Sequence, residues 1–337
     1  MTEELREYLR CNIATDSMES LCNSINEIGP YVSGLAISNP LSVSHLHYYT
    51  FVGVRRDSYQ QFHIPKKSGG VRTITAPDGE LKDIMLTLAF ILSELYIPSP
   101  EAMAFVRGRS IVENASQHIG QNYVLNLDLS DFFTSITANM VEHNLVKLGI
   151  APLVARDIAS ICTYPMVNDY HVVNVVPQGA PTSPVISNIC AMTLDNRLSG
   201  LARRFHLIYT RYADDITFSS NHNVYQKDGA FMEELNRIIA ECHFTINPKK
   251  TRLQKRGSRQ EVTSLTVGQK TNVSRKYIKN LRALIHKIRY QESPTMHDIH
   301  VVRGKLNFLR MVKGTDNPTY IAYVKKLNMA VKGKHFA

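Results

Sequence analysis

No stretch of this 337-residue sequence approaches the roughly 20 consecutive apolar residues that a membrane-crossing helix needs. The strongest apolar run lies near Ile84–Leu92, and the opening MTEELREYLR is charged, without the apolar centre of a secretion signal. A cytoplasmic protein with no membrane partner is expected. Cysteine is scarce: Cys11, Cys22, Cys162, Cys190 and Cys242 are odd in number, scattered and free of any C-x-x-C pair. That argues against a disulfide framework or a zinc ribbon and suits a reducing compartment. There is no internal repeat, no low-complexity tract, no Walker loop and no dinucleotide fingerprint. His45 and His47 have no cysteine or acidic cluster beside them and do not read as a metal site. What remains is an ordinary globular composition, 44% hydrophobic and 20% charged. Its length suggests about two or three subdomains.

Charge is unevenly spread. The formal net charge is +10, yet the chain up to Asn247 holds 18 Lys/Arg against 25 Asp/Glu. From Pro248 onward there are 21 Lys/Arg and 4 Asp/Glu. A basic excess confined to one end points to a polyanion, with nucleic acid the first candidate. A solvated helical surface is the plainer alternative.

The pattern along the chain mixes strands and helices without a repeating βαβ order, so an α+β fold is expected. Gln60–Ala76 (QQFHIPKKSGGVRTITA) has the form of a hairpin, with Lys66 and Lys67 at its tip and Arg72 on the returning strand. Leu81–Leu95 carries apolar residues at helical spacing. Tyr123–Leu129, Leu207–Tyr212 and Ile216–Ser219 read as strands; Pro181–Arg204 and Ala230–Cys242 read as helices. Short β-like runs lead to about Val267. Three helices follow over Arg275–Tyr290, Asp298–Val312 and Pro318–Val331, and the first 50 or so residues read as helical.

Three acidic residues interrupt this apolar strand pattern. Asp128 closes one strand, and Asp214 and Asp215 separate two others. A carboxylate at an apolar strand end is costly unless it is paired or binds a metal. Carboxylates at adjacent strand ends are what two-metal phosphoryl transfer requires, since Mg²⁺ takes oxygen ligands. An Asp-Asp pair by itself would be an ordinary turn. Here Tyr212-Ala213-Asp214-Asp215 follows both the Asp128 strand and Pro177-Gln178-Gly179-Ala180-Pro181-Thr182-Ser183-Pro184.

Together and in this order, LDLSDFF, PQGAPTSP and YADD resemble the motifs of reverse transcriptases. The resemblance runs from about Gln60 to the C-terminus. It implies a right-hand polymerase fold: fingers, a palm of antiparallel sheet plus helices, and a helical thumb. By position, Asp128, Asp214 and Asp215 match the metal-binding triad for two Mg²⁺ ions, with the Leu129 carbonyl as a further ligand. Phe133 matches the aromatic residue that excludes a ribose 2′-OH, while Phe132 reads as core. Gln178 and Gly179 match the nucleotide-pocket segment. Arg72 matches the fingers residue that grips the triphosphate, assisted by Lys66 or Lys67. Asn247-Pro248-Lys249-Lys250-Thr251 resembles the palm motif whose lysine gives a proton to pyrophosphate, and Lys250 is the candidate against a plain surface lysine.

Asn114-Ala115-Ser116-Gln117-His118 is similar to the N-A-x-x-H signature of bacterial retron reverse transcriptases. With Asn114 and His118 on one helix face, contact with RNA is expected. The retron V-T-G signature corresponds to Val262-Thr263-Ser264, with Ser264 where the family has glycine. This departure brings into question a positive φ or close backbone approach there. Thr263 is also counted among the RNA-contacting residues. The cations Arg275, Lys276, Lys279, Arg282, His286 and Arg289 recur every three or four residues, forming a stripe suited to phosphates. Tyr277, Ile278, Leu281, Leu284, Ile285 and Ile288 make the opposite, core face.

The resemblance further implies a structured non-coding RNA as template and primer, with dNTPs as substrates. Synthesis would start at an internal guanosine 2′-OH, and the product would be branched multicopy single-stranded DNA. An antiphage role beside an effector protein is implied as well. The expected division is 1–55 as an N-terminal helical extension and 56–122 as fingers, with part of the fingers also in 140–175. The palm would cover 123–260 and the primer-grip region and thumb 261–337. After the palm the chain has room for a thumb but not for an RNase H, integrase or HNH segment. The alternatives are another bacterial defence reverse transcriptase of the abortive-infection type, a group II intron-like enzyme, and a non-catalytic RNA-binding scaffold.

Overall fold

Every strand pairing in the chain is antiparallel among the described residues. The computed structural model describes residues 3–14, 17–32, 40–66, 69–168, 171–291 and 293–332. In chain order the strands are β1 (Tyr59–Pro65), β2 (Val71–Pro77), β3 (Tyr123–Asp128), β4 (Tyr164–Asn168), β5 (His171–Val175) and β6 (Ile208–Tyr212). They continue as β7 (Asp215–Ser220), β8 (Arg252–Lys255), β9 (Glu261–Val262), β10 (Leu265–Val267) and β11 (Thr271–Asn272). The chain gathers into two compact units, each made of three separate stretches. The first comprises Met1–Phe105, Leu129–Ser199 and Leu235–Ile246; the second comprises Val106–Asp128, Gly200–Glu234 and Asn247–Ala337. The architecture is α+β, with antiparallel sheets and a helical C-terminal region.

In the first unit, β1 and β2 form the expected hairpin, from Tyr59 opposite Pro77 to Pro65 opposite Val71. Gly69 and Gly70 turn it at φ 85° and 79°, a region open to glycine. Lys67 lies outside the described residues. The helix Gly79–Leu95 buries Leu81, Ile84, Met85, Leu88, Ile91, Leu92 and Leu95 along one stripe, as their spacing predicts. The described residues before 58 are mainly helical, over Glu3–Ala14, Met18–Ile28, Val43–Tyr48 and Val52–Asp57, and two side chains among them bond to the Gly79–Leu95 helix. Arg6 Nε donates to Glu94 Oε2 at 3.0 Å, and the Tyr49 hydroxyl donates to Glu80 Oε2 at 2.9 Å, fastening them to that helix. The helix expected over Pro181–Arg204 is interrupted. Ala191, at φ −85° and ψ −1°, is the cap residue between the helices Ser183–Cys190 and Met192–Arg204. β4 and β5 pair antiparallel as well, from Tyr164 opposite Val175 to Asn168 opposite His171, with no alternating polarity to announce them.

The second unit is organised on a four-stranded sheet in the order β6-β7-β3-β8. On its inner strands Val124, Leu125, Leu127, Ile216 and Phe218 are buried, and so are Thr217, Ser219 and Ser220. A three-stranded sheet, β11-β10-β9, shares a core with three helices. Those helices are Arg275–Tyr290, Met296–Lys313 and Pro318–Val331, the first and third with the bounds expected from periodicity. Leu281, Ile285, Ile288, Val302, Leu309 and Leu327 lie at their common centre with Val262, Leu265 and Val267. Among the described residues no helix is long and apolar enough to cross a membrane.

Candidate active site

The sheet of the second unit brings the acidic strand ends together. Asp128, the last residue of β3, is paired in register with Asp215, the first residue of β7. Tyr212 and Asp215 close the β6–β7 hairpin, leaving Ala213 and Asp214 as a two-residue loop. Ala213 holds φ 56°, in the left-handed region where such a loop normally places glycine. Asp128 is 6% exposed, whereas Asp215 has an open surface.

The electrostatics match this crowding. The Asp215 carboxyl is pushed up to about 6, first by the protein atoms packed round it, then by the charges of Asp214 and Asp128. Lys250 and Arg252 pull in the opposite direction. Lys250 Nζ donates to Asp128 Oδ1 at 2.6 Å, and this bond holds the Lys250 ammonium above its ordinary pKa.

A residue without an assigned role in the sequence reading joins them. Asn247 donates from Nδ2 to Asp128 Oδ2 at 3.3 Å, and its backbone N–H donates to the Asp128 carbonyl at 2.7 Å. The Asn-Pro pair before two lysines was the available signal, because Asn initiates turns that it caps itself. Here Asn247 Oδ1 accepts from the Lys249 N–H at 3.2 Å, which bends the chain so that Lys250 reaches Asp128.

Among the described residues no three His, Cys, Asp or Glu side chains form a ready-made metal cage. The donor chemistry nevertheless suits hard cations. Asp128, Asp214 and Asp215 offer only oxygen, and their mutual repulsion raises the Asp215 carboxyl.

The first unit holds the residues matched to nucleotide binding. Lys66 and Arg72 are exposed on the β1–β2 hairpin, with Arg72 opposite Ile64. The Pro177–Ala180 loop is clipped to the same hairpin, where the Thr75 N–H donates to the Gln178 carbonyl at 2.9 Å. Gly179 has φ 130°; a Cβ there would stand 2.7 Å from Ile74 Cγ2 and 3.0 Å from the Thr75 carbonyl oxygen. Leu129 is buried and bridges to Ile246. Phe132 is core, stacked on Phe244 at 5.4 Å. Phe133 is half-buried, edge-on to Phe132 at 5.5 Å and tilted 6.3 Å from Phe105.

Asn114 and His118, expected to contact RNA from one helix face, are placed otherwise. The helix ends at Ser116, so Asn114 and His118 do not share an exposed helical face. Asn114 is 1% and His118 0% exposed. Asn114 Nδ2 donates to Thr263 Oγ1 at 3.4 Å, and both ring nitrogens of His118 bond to hydroxyls of β6 and β7. Thr263 Oγ1 in turn donates to the Ile111 carbonyl at 3.3 Å. The departure at Ser264 leaves the backbone turn intact: Thr263 and Ser264 take φ 46° and 66° as the two-residue loop between β9 and β10. By contrast, Arg275, Lys276, Lys279, Arg282, His286 and Arg289 are all exposed, opposite buried Leu281, Ile285 and Ile288.

Residues 64–281 match the family model described as "Reverse transcriptase (RNA-dependent DNA polymerase)". The chain is 39% identical over 289 residues to Retron Mx65 reverse transcriptase of Myxococcus xanthus, covering 81% of this chain and 66% of that relative. It is 37% identical over 273 residues to Retron Ec86 reverse transcriptase of Escherichia coli, covering 80% and 81% respectively. Among solved structures, a telomerase from Candida albicans aligns with 83% of this chain and 57% of its own, at 11% identity and a TM-score of 0.47.

Proposed function

The chain belongs to the reverse transcriptases of the retron type, and from that premise we propose that it copies its own structured non-coding RNA into DNA. Synthesis starts at the 2′-OH of an internal guanosine in that RNA. The product is a branched RNA–DNA molecule, made in the cytoplasm and used in antiphage defence with an effector protein. The observation that carries the catalytic part is Asp128 in register with Asp215, beside a loop that holds Asp214.

In this reading Asp128, Asp214 and Asp215, with the Leu129 carbonyl, hold two Mg²⁺ ions. When bound, these ions supply activation of the attacking hydroxyl and charge neutralisation for the leaving pyrophosphate. Lys250 has two tasks. It neutralises Asp128 while no nucleotide is present, and it gives a proton to the pyrophosphate as the bond between the α-phosphorus and its leaving oxygen breaks. Arg72, with Lys66, holds the triphosphate by fixed positive charge. The Gln178–Gly179 backbone shapes the pocket floor, and the Phe133 ring excludes a ribose 2′-OH. The exposed cations Arg275, Lys276, Lys279 and Arg282 bind RNA phosphates.

We assign fingers to 56–122 with part of 140–175, palm to 123–260, and primer grip and thumb to 261–337. These are divisions of role, since the compact units cut across them.

The deciding experiment is to express the gene with several hundred bases of upstream DNA and sequence the nucleic acid that copurifies. A short single-stranded DNA joined by a 2′–5′ link to an RNA encoded beside the gene is expected. Unbranched DNA would replace the retron priming with that of another defence reverse transcriptase. No nucleic acid, with no dNTP incorporation on a supplied primer–template, would favour a binding scaffold.

A further inference from the structure

Asn114 and His118 are buried, and their segment has no task in the reaction above. It lies against the hairpin that carries Asp214 and Asp215. His118 Nδ1 is 2.6 Å from Ser219 Oγ on β7, and Nε2 is 2.8 Å from Thr210 Oγ1 on β6. In the pairing, Thr210 faces Thr217 and Ser219 faces Ile208. The two hydroxyls therefore stand diagonally on one face of the ribbon, and the imidazole spans the diagonal. All three side chains are buried, at 0% for His118 and Ser219 and 2% for Thr210. Burial lowers the His118 pKa to about 3, so the ring is neutral. One nitrogen donates and the other accepts, and the hydroxyls can complement either arrangement.

The hairpin has a need for such a tie. Ala213 holds its φ of 56° without the freedom of glycine. Backbone in such regions persists only where its surroundings over-determine it. Arg211, fully buried, donates from Nη1 to the Ala213 carbonyl at 3.2 Å from within the loop's own strand. His118 adds a link between the two strands from outside the hairpin.

The same segment is fastened at several points to the β9–β10 region. Asn114 bonds Thr263, the Gly120 N–H donates to the Gly268 carbonyl at 2.9 Å, and Gln260 Nε2 donates to the Gln121 carbonyl at 3.0 Å. Ala115 and Val124 lie in one hydrophobic core with Val262, Leu265, Val267 and the three C-terminal helices.

We propose that His118 is a positioning residue of the polymerase site. It holds β6 and β7 in register beneath the Asp214–Asp215 turn, and the Asn114–Gln121 segment makes that hairpin and the Thr263–Ser264 turn one rigid piece. The inference rests on the reading of Asp214 and Asp215 as metal ligands. Its consequence is kinetic: displacing reacting groups by about 1 Å can cost a hundredfold in rate while leaving binding intact.

The test uses the full chain on a supplied RNA template with annealed primer. A T210V/S219A variant keeps His118 and removes only the two hydroxyls. Its kcat is expected to fall about ten- to a hundredfold, with KM for dNTP and Kd for the primer–template within about twofold of wild type. Thr210→Ser, which keeps a hydroxyl, should retain most of the turnover. His118→Gln, with one donor and one acceptor, should retain more turnover than His118→Leu. Thermal unfolding of each variant verifies that it is folded, and T210V/S219A carries the test if His118→Leu is not. An unchanged kcat in folded T210V/S219A would overturn the proposal. A loss of RNA affinity with kcat retained at saturating RNA would also overturn it, returning the segment to RNA binding. Wild-type inactivity on the same template would instead overturn the polymerase reading, and this inference with it.

Discussion

The Lys250 ammonium donates to Asp128 Oδ1 across 2.6 Å, so the most buried of the strand-end carboxylates already carries a cation from the chain itself. Lys250 is more than half exposed and can swing away, whereas Asp128 cannot. In the roles proposed above, proton donor and metal ligand are thus in contact, and a divalent ion at Asp128 would have to displace an ammonium group. Lys250→Met is expected to lower the Mg²⁺ concentration for half-maximal incorporation about two- to fivefold, the size of a solvent-screened ion pair. Turnover at saturating Mg²⁺ should fall as well. A Mg²⁺ titration of single-nucleotide incorporation separates the two effects, and a raised Mg²⁺ requirement would refute the displacement.

Asp215 predicts a pH dependence with a definite sign. Its folded carboxyl titrates at about 6, above its ordinary value. The metal-free folded state therefore binds a proton more tightly than the unfolded chain. That stabilisation is complete below the ordinary carboxylate range and is lost as pH rises through about 6. The Tm of the metal-free protein should fall between pH 4 and 7 by more than that of Asp215→Asn. Added Mg²⁺ should raise Tm at pH 7, and half-maximal incorporation should need more Mg²⁺ as pH falls through 6. Asp214→Asn with Asp215→Asn should abolish incorporation while leaving the circular dichroism spectrum intact.

Gly179 admits no side chain. An added Cβ would meet Ile74 Cγ2 at 2.7 Å and the Thr75 carbonyl oxygen at 3.0 Å, at a φ of 130°. Gly179→Ala is expected to cost about 1–3 kcal/mol in urea unfolding through this overlap. It should also raise KM for dNTP, because the Gln178 carbonyl can no longer hold the Thr75 N–H. Unchanged stability and KM would show that the loop moves without cost.

Ser264 keeps a glycine-type backbone at φ 66°. Ser264→Gly removes the left-handed penalty and adds unfolded-chain entropy, for a net gain of about 0.5–1 kcal/mol. Chemical denaturation measures it, and a loss of stability would mean that the serine side chain compensates for the strain.

Phe133 is half-buried against Phe132 and Phe105. Phe133→Ala should lower the preference for dNTP over rNTP at least about tenfold, within the range of steric discrimination in a pocket. The ratio of kcat/KM values for dGTP and GTP is the measurement.

How far the sequence could be read depended on the range of the interaction. The hairpin over β1 and β2 and the helix Arg275–Tyr290 were legible because turn chemistry and amphipathic spacing are local. The acidic pair and the Asp128 strand were legible because a carboxylate in an apolar strand is anomalous wherever the chain goes. The burial of Asn114 and His118 is not legible locally, because it depends on partners far along the chain. Thr263 is 149 residues from Asn114, and Thr210 and Ser219 are 92 and 101 residues from His118. A polar residue in a polar turn carries no local mark of such burial. The contact of Asn247 is hidden for the same reason, since its bond to Asp128 spans 119 residues.

The sequence by itself determined the family, the order of the motifs, the carboxylates and the basic C-terminal helices, since each is a matter of residue type and short spacing. Only the tertiary structure decided that Asp128 stands opposite Asp215, that Lys250 rests on Asp128, and that the N-A-x-x-H segment is an internal tie. Those facts depend on which strands become neighbours, and strand pairing is set by the packing of the whole sheet and its core rather than by any one stretch of chain.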